Sequence, residues 1–238
     1  MIGTLVNVIA IVAGAAIGML LRKGIPERIR DSLLKAEGLA IVLIGLSSVL
    51  GEMFSMNAAT GKLQSDGGLL LLVSLVFGCL AGAALRIDDR ITAAAQRLEK
   101  RFQADGFARG LVAATIVFSV GAMAIIGPIN EGLSGDRSIL YIKSMLDFTT
   151  AIVLASAMGI GVLFSCVAVF VVQIIPALLA AQLAPYITPL LLSLFCMVGY
   201  TLVTAIGINF LSETKIRVAN LLPSLLIPIG YYFLFEPA

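Results

Sequence analysis

Between Asp147 and Glu213 the chain runs for 65 residues without one charged side chain. No water-soluble fold can hide such a run, because every helix or strand made from it would turn an uncharged face to water. A transmembrane helix takes about 20 apolar residues, so the run is long enough for three crossings and far too long for one. Composition extends the point to the whole chain. Of its 238 residues, 60% are hydrophobic and 13% charged, whereas a soluble domain is about half apolar and a quarter charged. The solvent of most of these side chains is lipid. The expected fold is an all-α, polytopic transmembrane helix bundle.

Outside the run, Ile2–Leu21, Leu34–Phe54, Gly67–Leu85, Phe107–Gly127 and Val218–Phe235 each have the length and apolarity of a span. Ile2–Leu21 lacks a basic region before it and reads as a first helix, not a cleaved signal peptide. Inside the run, Pro176, Pro185 and Pro189 punctuate the chain, since proline removes an N–H donor and kinks a helix. Two readings fit: three short spans near 147–165, 167–184 and 187–211, or two long ones with a re-entrant piece between them. Lysine and arginine set the orientation. Thirteen of the 16 basic residues follow the first or third span or precede the last; Lys62, Arg137 and Lys143 lie on the opposite side. The positive-inside rule puts the 13 in the cytoplasm and both termini outside, which requires an even number of crossings. About eight spans are expected, one or more of them short, broken or re-entrant; six with a long re-entrant element also fits, and seven does not.

The chain reads as one transmembrane domain, 1–238, with internal repeats. Gly14, Gly18, Leu21 and Arg22 recur 64 residues later as Gly78, Gly82, Leu85 and Arg86. Each copy continues through a basic segment into another apolar span, giving parallel helical-hairpin repeats near 1–55 and 65–128. A degenerate third copy is suggested near 187–238, and 128–186 is the broken or re-entrant region. Gly3, Asn7, Ala10, Gly14 and Gly18 form one stripe of small residues, echoed by Ser74, Gly78 and Gly82. Such stripes let helix backbones approach closely in lipid, so Gly14, Gly18, Gly78 and Gly82 are packing residues. They also offer a face for homo-oligomers. Asp88–Gln103 carries apolar positions at helical spacing among basic ones, the pattern of a helix lying at the cytoplasmic interface.

Polar chemistry concentrates in Gly127–Asp147. Asn130, Glu131, Asp136, Lys143 and Asp147 all fall here, and Lys143 and Asp147, four apart, share a helix face and can pair. One reading is an extracytoplasmic loop in which Asp136 caps a helix. The other is a site: Asp147 at the mouth of a span, Thr150 deeper, and Gly159-Ile-Gly161 permitting an unwound segment that water or protein must satisfy. Gln173 and Asn7 add amides. Depth separates the two, because an aspartate at the bilayer centre costs about 2.5–3.5 kcal/mol on insertion scales.

Several chemistries are excluded. There is no His, which removes the commonest metal ligand and the usual general base. Cys79, Cys166 and Cys196 lie in apolar runs and read as free thiols. No phosphate-loop motif occurs, and a net charge of +2 is no nucleic-acid footprint. No enzyme, metal or cofactor is expected, and no nucleic-acid partner.

Gly127-Pro-Ile-Asn-Glu-Gly-Leu-Ser-Gly-Asp136, Lys143-Ser-Met-Leu-Asp147 and Ala157-Met-Gly-Ile-Gly-Val162 resemble a known family. So do Gly3-Thr-Leu-Val-Asn7 and Asn220-Leu-Leu-Pro-Ser224, so the likeness runs the length of the chain. It is the bacterial integral-membrane family of unknown function that includes YdfK and YqgA. The resemblance implies an inner-membrane, multi-pass protein and carries over no site residues. The functional expectation is a small secondary transporter or channel for an ion or small polar solute, with the lipid bilayer as its medium. The alternative is a non-transporting scaffold or assembly protein that binds partners or anionic lipid through its basic segments.

Overall fold

The computed structural model describes residues 1–22, 26–56, 63–65, 67–91, 93, 97, 106–119, 122–212 and 216–235. Most of the basic segment 88–103, and Lys62 with it, lies outside the described residues. In chain order the helices are α1 (Ile2–Arg22), α2 (Glu27–Met53), α3 (Gly68–Ala84), α4 (Phe107–Ser119), α5 (Ala122–Ser134), α6 (Ser138–Met158), α7 (Gly161–Leu178), the short α8 (Ala180–Leu183), α9 (Pro189–Leu211) and α10 (Leu226–Phe235). A small antiparallel hairpin of β1 (Phe54–Met56) and β2 (Leu63–Ser65), in the register Phe54↔Ser65, joins α2 to α3. A 3₁₀ segment, Val218–Leu225, leads into α10.

The protein is an all-α polytopic helix bundle. Ile2–Arg22, Ser138–Met158, Gly161–Leu178, Pro189–Leu211 and Val218–Phe235 are each long and apolar enough to cross a membrane. Phe107–Ser119 and Met123–Ser134, bent by 58° to one another, make a sixth span if taken together. Gly38–Met53 and Gly68–Ala84 are apolar but shorter, so eight crossings are reached only if both of these cross as well. Burial shows how lipid inverts the usual pattern. On α1 the buried face is Gly3, Thr4, Asn7, Ile11, Gly14, Ala15 and Gly18, while Leu5, Ile9, Leu20 and Leu21 point outward. Small and polar residues are inside because helices in lipid gain from close packing and not from hiding leucine.

Two compact units result. One comprises Met1–Glu37 and Ile91–Pro185, the other Gly38–Arg90 and Tyr186–Ala238. The first holds α1 and α4–α8; the second holds the apolar part of α2, α3, α9, the 3₁₀ segment and α10.

The structure revises four expectations. The span expected at Phe107–Gly127 is instead the broken pair α4 and α5. The stretch Gly127–Asp147 is no loop: α5 runs through Pro128 to Ser134, and only Gly135–Arg137 interrupts the helices before α6. Its charges do not force it into water because Glu131, Lys143 and Asp147 find partners inside the protein. Spans near 147–165 and 167–184 give way to α6 and α7, which meet at Gly159-Ile160. Gly159, with φ of 81°, therefore makes a turn between two helices and not an unwound segment within one. Pro176 sits inside α7 without ending it, as membrane helices tolerate when neighbours re-satisfy the freed backbone. Pro189 opens α9 behind a Thr188 cap whose Oγ1 accepts from the Leu191 N–H at 3.2 Å.

Candidate functional site

The site is built on the α1–α6 contact. The two helices run in the same direction: Gly3 lies beside Arg137 and Leu140, Gly14 beside Phe148 and Ala151, Gly18 beside Ile152 and Ala155. A Cβ on Gly14 or Gly18 would run into the carbonyl oxygen of Phe148 or Ile152, so glycine is what lets the backbones touch. At the far end the Arg22 guanidinium lies over Gly159, where a side chain would displace it.

This approach delivers Asn7 to Asp147. The Asn7 Nδ2 donates to Asp147 Oδ2 at 3.0 Å. Lys143, one turn before, places its Nζ 3.0 Å from Asp147 Oδ1 and 2.8 Å from Oδ2. The third acceptor of that ammonium is the Phe118 carbonyl, at 2.8 Å. Phe118 is in the last turn of α4, where carbonyls have no intrahelical donor, so the break between α4 and α5 supplies what Lys143 takes. All three side chains are sealed from solvent: Asn7 is 0% exposed, Lys143 and Asp147 each 6%. Asp147 is not at the mouth of a span. It lies near the middle of the 21-residue α6, roughly 14–17 Å from either end.

Several buried polar atoms of the first unit have no partner. They are Asn7 Oδ1, Ser119 Oγ and both amide atoms of Gln173. Gln173 is fully buried in α7. It stands twelve residues beyond Gly161, and Asp147 twelve before Gly159, so each lies about 18 Å of helix from the turn.

A second cluster sits at the N-terminal end of α1. Glu131 accepts from the Gly3 N–H at 2.7 Å, the Thr4 N–H at 3.3 Å and the Thr4 hydroxyl at 3.4 Å. Its Oε1 also pairs with the Met1 α-amino group at 2.8 Å and with Arg137 Nε at 3.1 Å. A carboxylate against the first amides of a helix meets the positive end of the helix dipole. Asp136 is exposed on the turn before α6. It accepts from the Ser138 N–H and hydroxyl, which holds its carboxyl below the usual range.

Of the residues expected from sequence, the structure joins Asn7, Lys143 and Asp147 and buries Gln173 in α7 with neither amide atom partnered. Asn130 is half-buried in α5, where its carbonyl accepts from Ser134 Oγ. Thr150 is half-buried and takes no part in the network. Gly161 packs against the Phe107 carbonyl at the start of α7. In the second unit, Gly78 and Gly82 of α3 pack on Ser224 and Asn220 of the 3₁₀ segment. There the Asn220 Oδ1 accepts from the Asp88 N–H at 2.8 Å. The sequence reading missed Phe118, Ser119 and the Gly3–Thr4 donors. The only hint at the first two was Gly121, inside what looked like an unbroken span.

The family described as "Protein of unknown function (DUF554)" matches residues 2–233. The chain belongs to this family. Its DUF554 relatives include "Uncharacterized membrane protein YdfK" of Bacillus subtilis (strain 168), 34% identical over 229 residues, which are 96% of this chain and 94% of that protein. "Uncharacterized protein YqgA" of Escherichia coli (strain K12) is 30% identical over 233 residues, 95% and 94% of the two chains. No solved structure matches this DUF554 chain.

Proposed function

We propose that this membrane protein is a small secondary transporter or channel, moving an ion or small polar solute through the first unit. One observation carries the reading: a buried Asn7–Asp147–Lys143 network at mid-helix depth, tied to a carbonyl exposed by a helix break. Ionisable side chains at such depth are costly and mark ion or substrate pathways. Broken helices at the level of binding residues are the usual construction of solute sites in transporters. As a purely structural device the network would be a poor choice, since well-packed apolar residues of similar volume are often as stable as a buried ion pair.

The reading includes a location in a bacterial inner membrane with both termini outside. The parallel run of α1 and α6 supports an odd number of crossings between them, as the distribution of basic residues requires. Homo-oligomers formed through lipid-facing helices complete the proposal.

The test is a thermal-stability screen of the detergent-purified protein against inorganic ions, organic acids and amino acids, with Asp147→Asn alongside. A ligand selective for the native state raises stability by mass action, by about 2.7 kcal/mol at a hundred times its Kd. The expected outcome is at least one stabilising solute whose effect disappears in Asp147→Asn. In parallel, single cysteines at 150 and 173, in a background lacking Cys79, Cys166 and Cys196, should react with a membrane-impermeant thiol reagent. A silent screen with unreactive cysteines would return the protein to the scaffold reading.

A further inference from the structure

We infer that Asp147, the Phe118 carbonyl and the Asn7 amide form a site for one monovalent cation, which the Lys143 ammonium occupies in this structure. The inference rests on the transport reading and narrows its solute to a class.

The ammonium of Lys143 is surrounded by oxygen: both carboxylate oxygens of Asp147 and the carbonyl of Phe118. Oxygen donors are what hard cations take. The neighbouring oxygens extend the set. Asn7 Oδ1 is completely buried, belongs to a side chain already bound to Asp147, and has no donor. Ser119 Oγ, next to Phe118, is likewise unpartnered. A buried amide oxygen with no donor costs free energy comparable to a lost hydrogen bond, and a cation at Asp147 would give it a use.

Charge fixes the valence. The helices packed against α6 carry few charged residues, each near a helix end: Arg22 on α1, Arg109 on α4 and Glu131 on α5, with none on α7. Glu131 is committed to Met1 and Arg137. Among the described residues of α6 and the helices packed on it, Asp147 is thus the one carboxylate away from a helix end. Among the described residues no group of three or more His, Cys, Asp or Glu side chains gathers to hold a metal. One carboxylate balances one positive charge, so a divalent ion would be left half-neutralised in a low dielectric. For the same reason Lys143 and a free cation exclude each other. Lysine suits the role of a displaceable occupant, being a compact point charge on a flexible stem, whereas arginine forks onto its acceptors.

The full-length chain is purified in detergent as wild type, Lys143→Gln, Lys143→Arg and the double variant Lys143→Gln/Asp147→Asn. Thermal unfolding and equilibrium binding are measured in Li⁺, Na⁺, K⁺ and Rb⁺ chlorides against choline chloride at equal ionic strength. In Lys143→Gln the carboxylate has lost its charged partner and keeps only the Asn7 amide. The expected result is a lowered Tm in choline that one of the four cations restores, with one ion bound per chain at least tenfold more tightly than to wild type. Lys143→Arg, which keeps a charge in the site, should fold and show no response, and the double variant should bind nothing. The inference is overturned if Lys143→Gln gains neither fold nor Tm from any of the four cations, or if the double variant responds equally. Should that happen while another solute stabilises wild type and not Asp147→Asn, transport stands and the cation site falls. If no solute of any class does so, both readings fall.

Discussion

The same small-residue stripe is used twice in this molecule, to different ends. In the first unit, Gly14 and Gly18 bring α1 against the backbone of α6; in the second, Gly78 and Gly82 bring α3 against the 3₁₀ segment at Ser224 and Asn220. The two stripes are offset by 64 residues in the sequence, yet only one serves an ion pair. Sixty-four residues after Asn7 stands Leu71, and sixty-four after Ala10 stands Ser74. The second interface accordingly buries two hydroxyls, Ser74 and Ser224, and no charge. Close approach is therefore the shared property of the stripe, and the polar network is an addition made by a single position on α1 and two on α6.

The largest way to break this contrast is at Asp147. Asp147→Ala leaves Lys143 buried and uncompensated, a loss of about 3–5 kcal/mol, read by titrated SDS unfolding; no single substitution in the second unit's α3 interface should match it. Next is Asn7→Leu, which writes into α1 the residue that α3 has at the same offset, Leu71. It removes a hydrogen bond to a charged acceptor, about 1.5–3 kcal/mol, and solute-dependent stabilisation should be lost with it. Gly18→Val and Gly82→Val should then cost similar amounts in their own units, about 1–3 kcal/mol from overpacking against backbone. Unequal losses would show that the two stripes do different work. Smallest is Ser74→Ala with Ser224→Ala. Neither hydroxyl has a partner to lose, so the change should stay within about 1 kcal/mol, and a larger loss would reveal a hidden polar function in the second unit.

Much of this was legible in the sequence, for identifiable reasons. The helices α1, α9 and the last span were visible because their apolar runs match a membrane thickness and end at charges or turn residues. Lys143 and Asp147 were visible as partners because their spacing of four is local. What failed was the stretch from 107 to 147. Glu131, Asp136 and Lys143 within thirteen residues look like an aqueous loop until one knows that Gly3, Thr4 and Met1 come to meet Glu131. Those donors lie about 130 residues away along the chain, and a single sequence holds no record of such meetings. Phe118 was invisible for a different reason: its contribution is a carbonyl, which every residue has, and only a break in the helix releases it.

The parallel pairing of α1 with α6 also sets a timetable for synthesis. At ribosomal rates of about 5–20 residues per second, the roughly 115 residues between the end of α1 and the start of α6 take about 6–25 s to make. Throughout that interval Asn7 has no carboxylate to donate to, and Gly14 and Gly18 have no backbone to meet. Helix α1 thus waits for its seat until α6 is made, while α7, α9 and α10 are still to come. A nascent chain arrested before residue 138 should hold α1 exchangeable with lipid or with the insertion machinery, and one arrested beyond residue 158 should hold it locked.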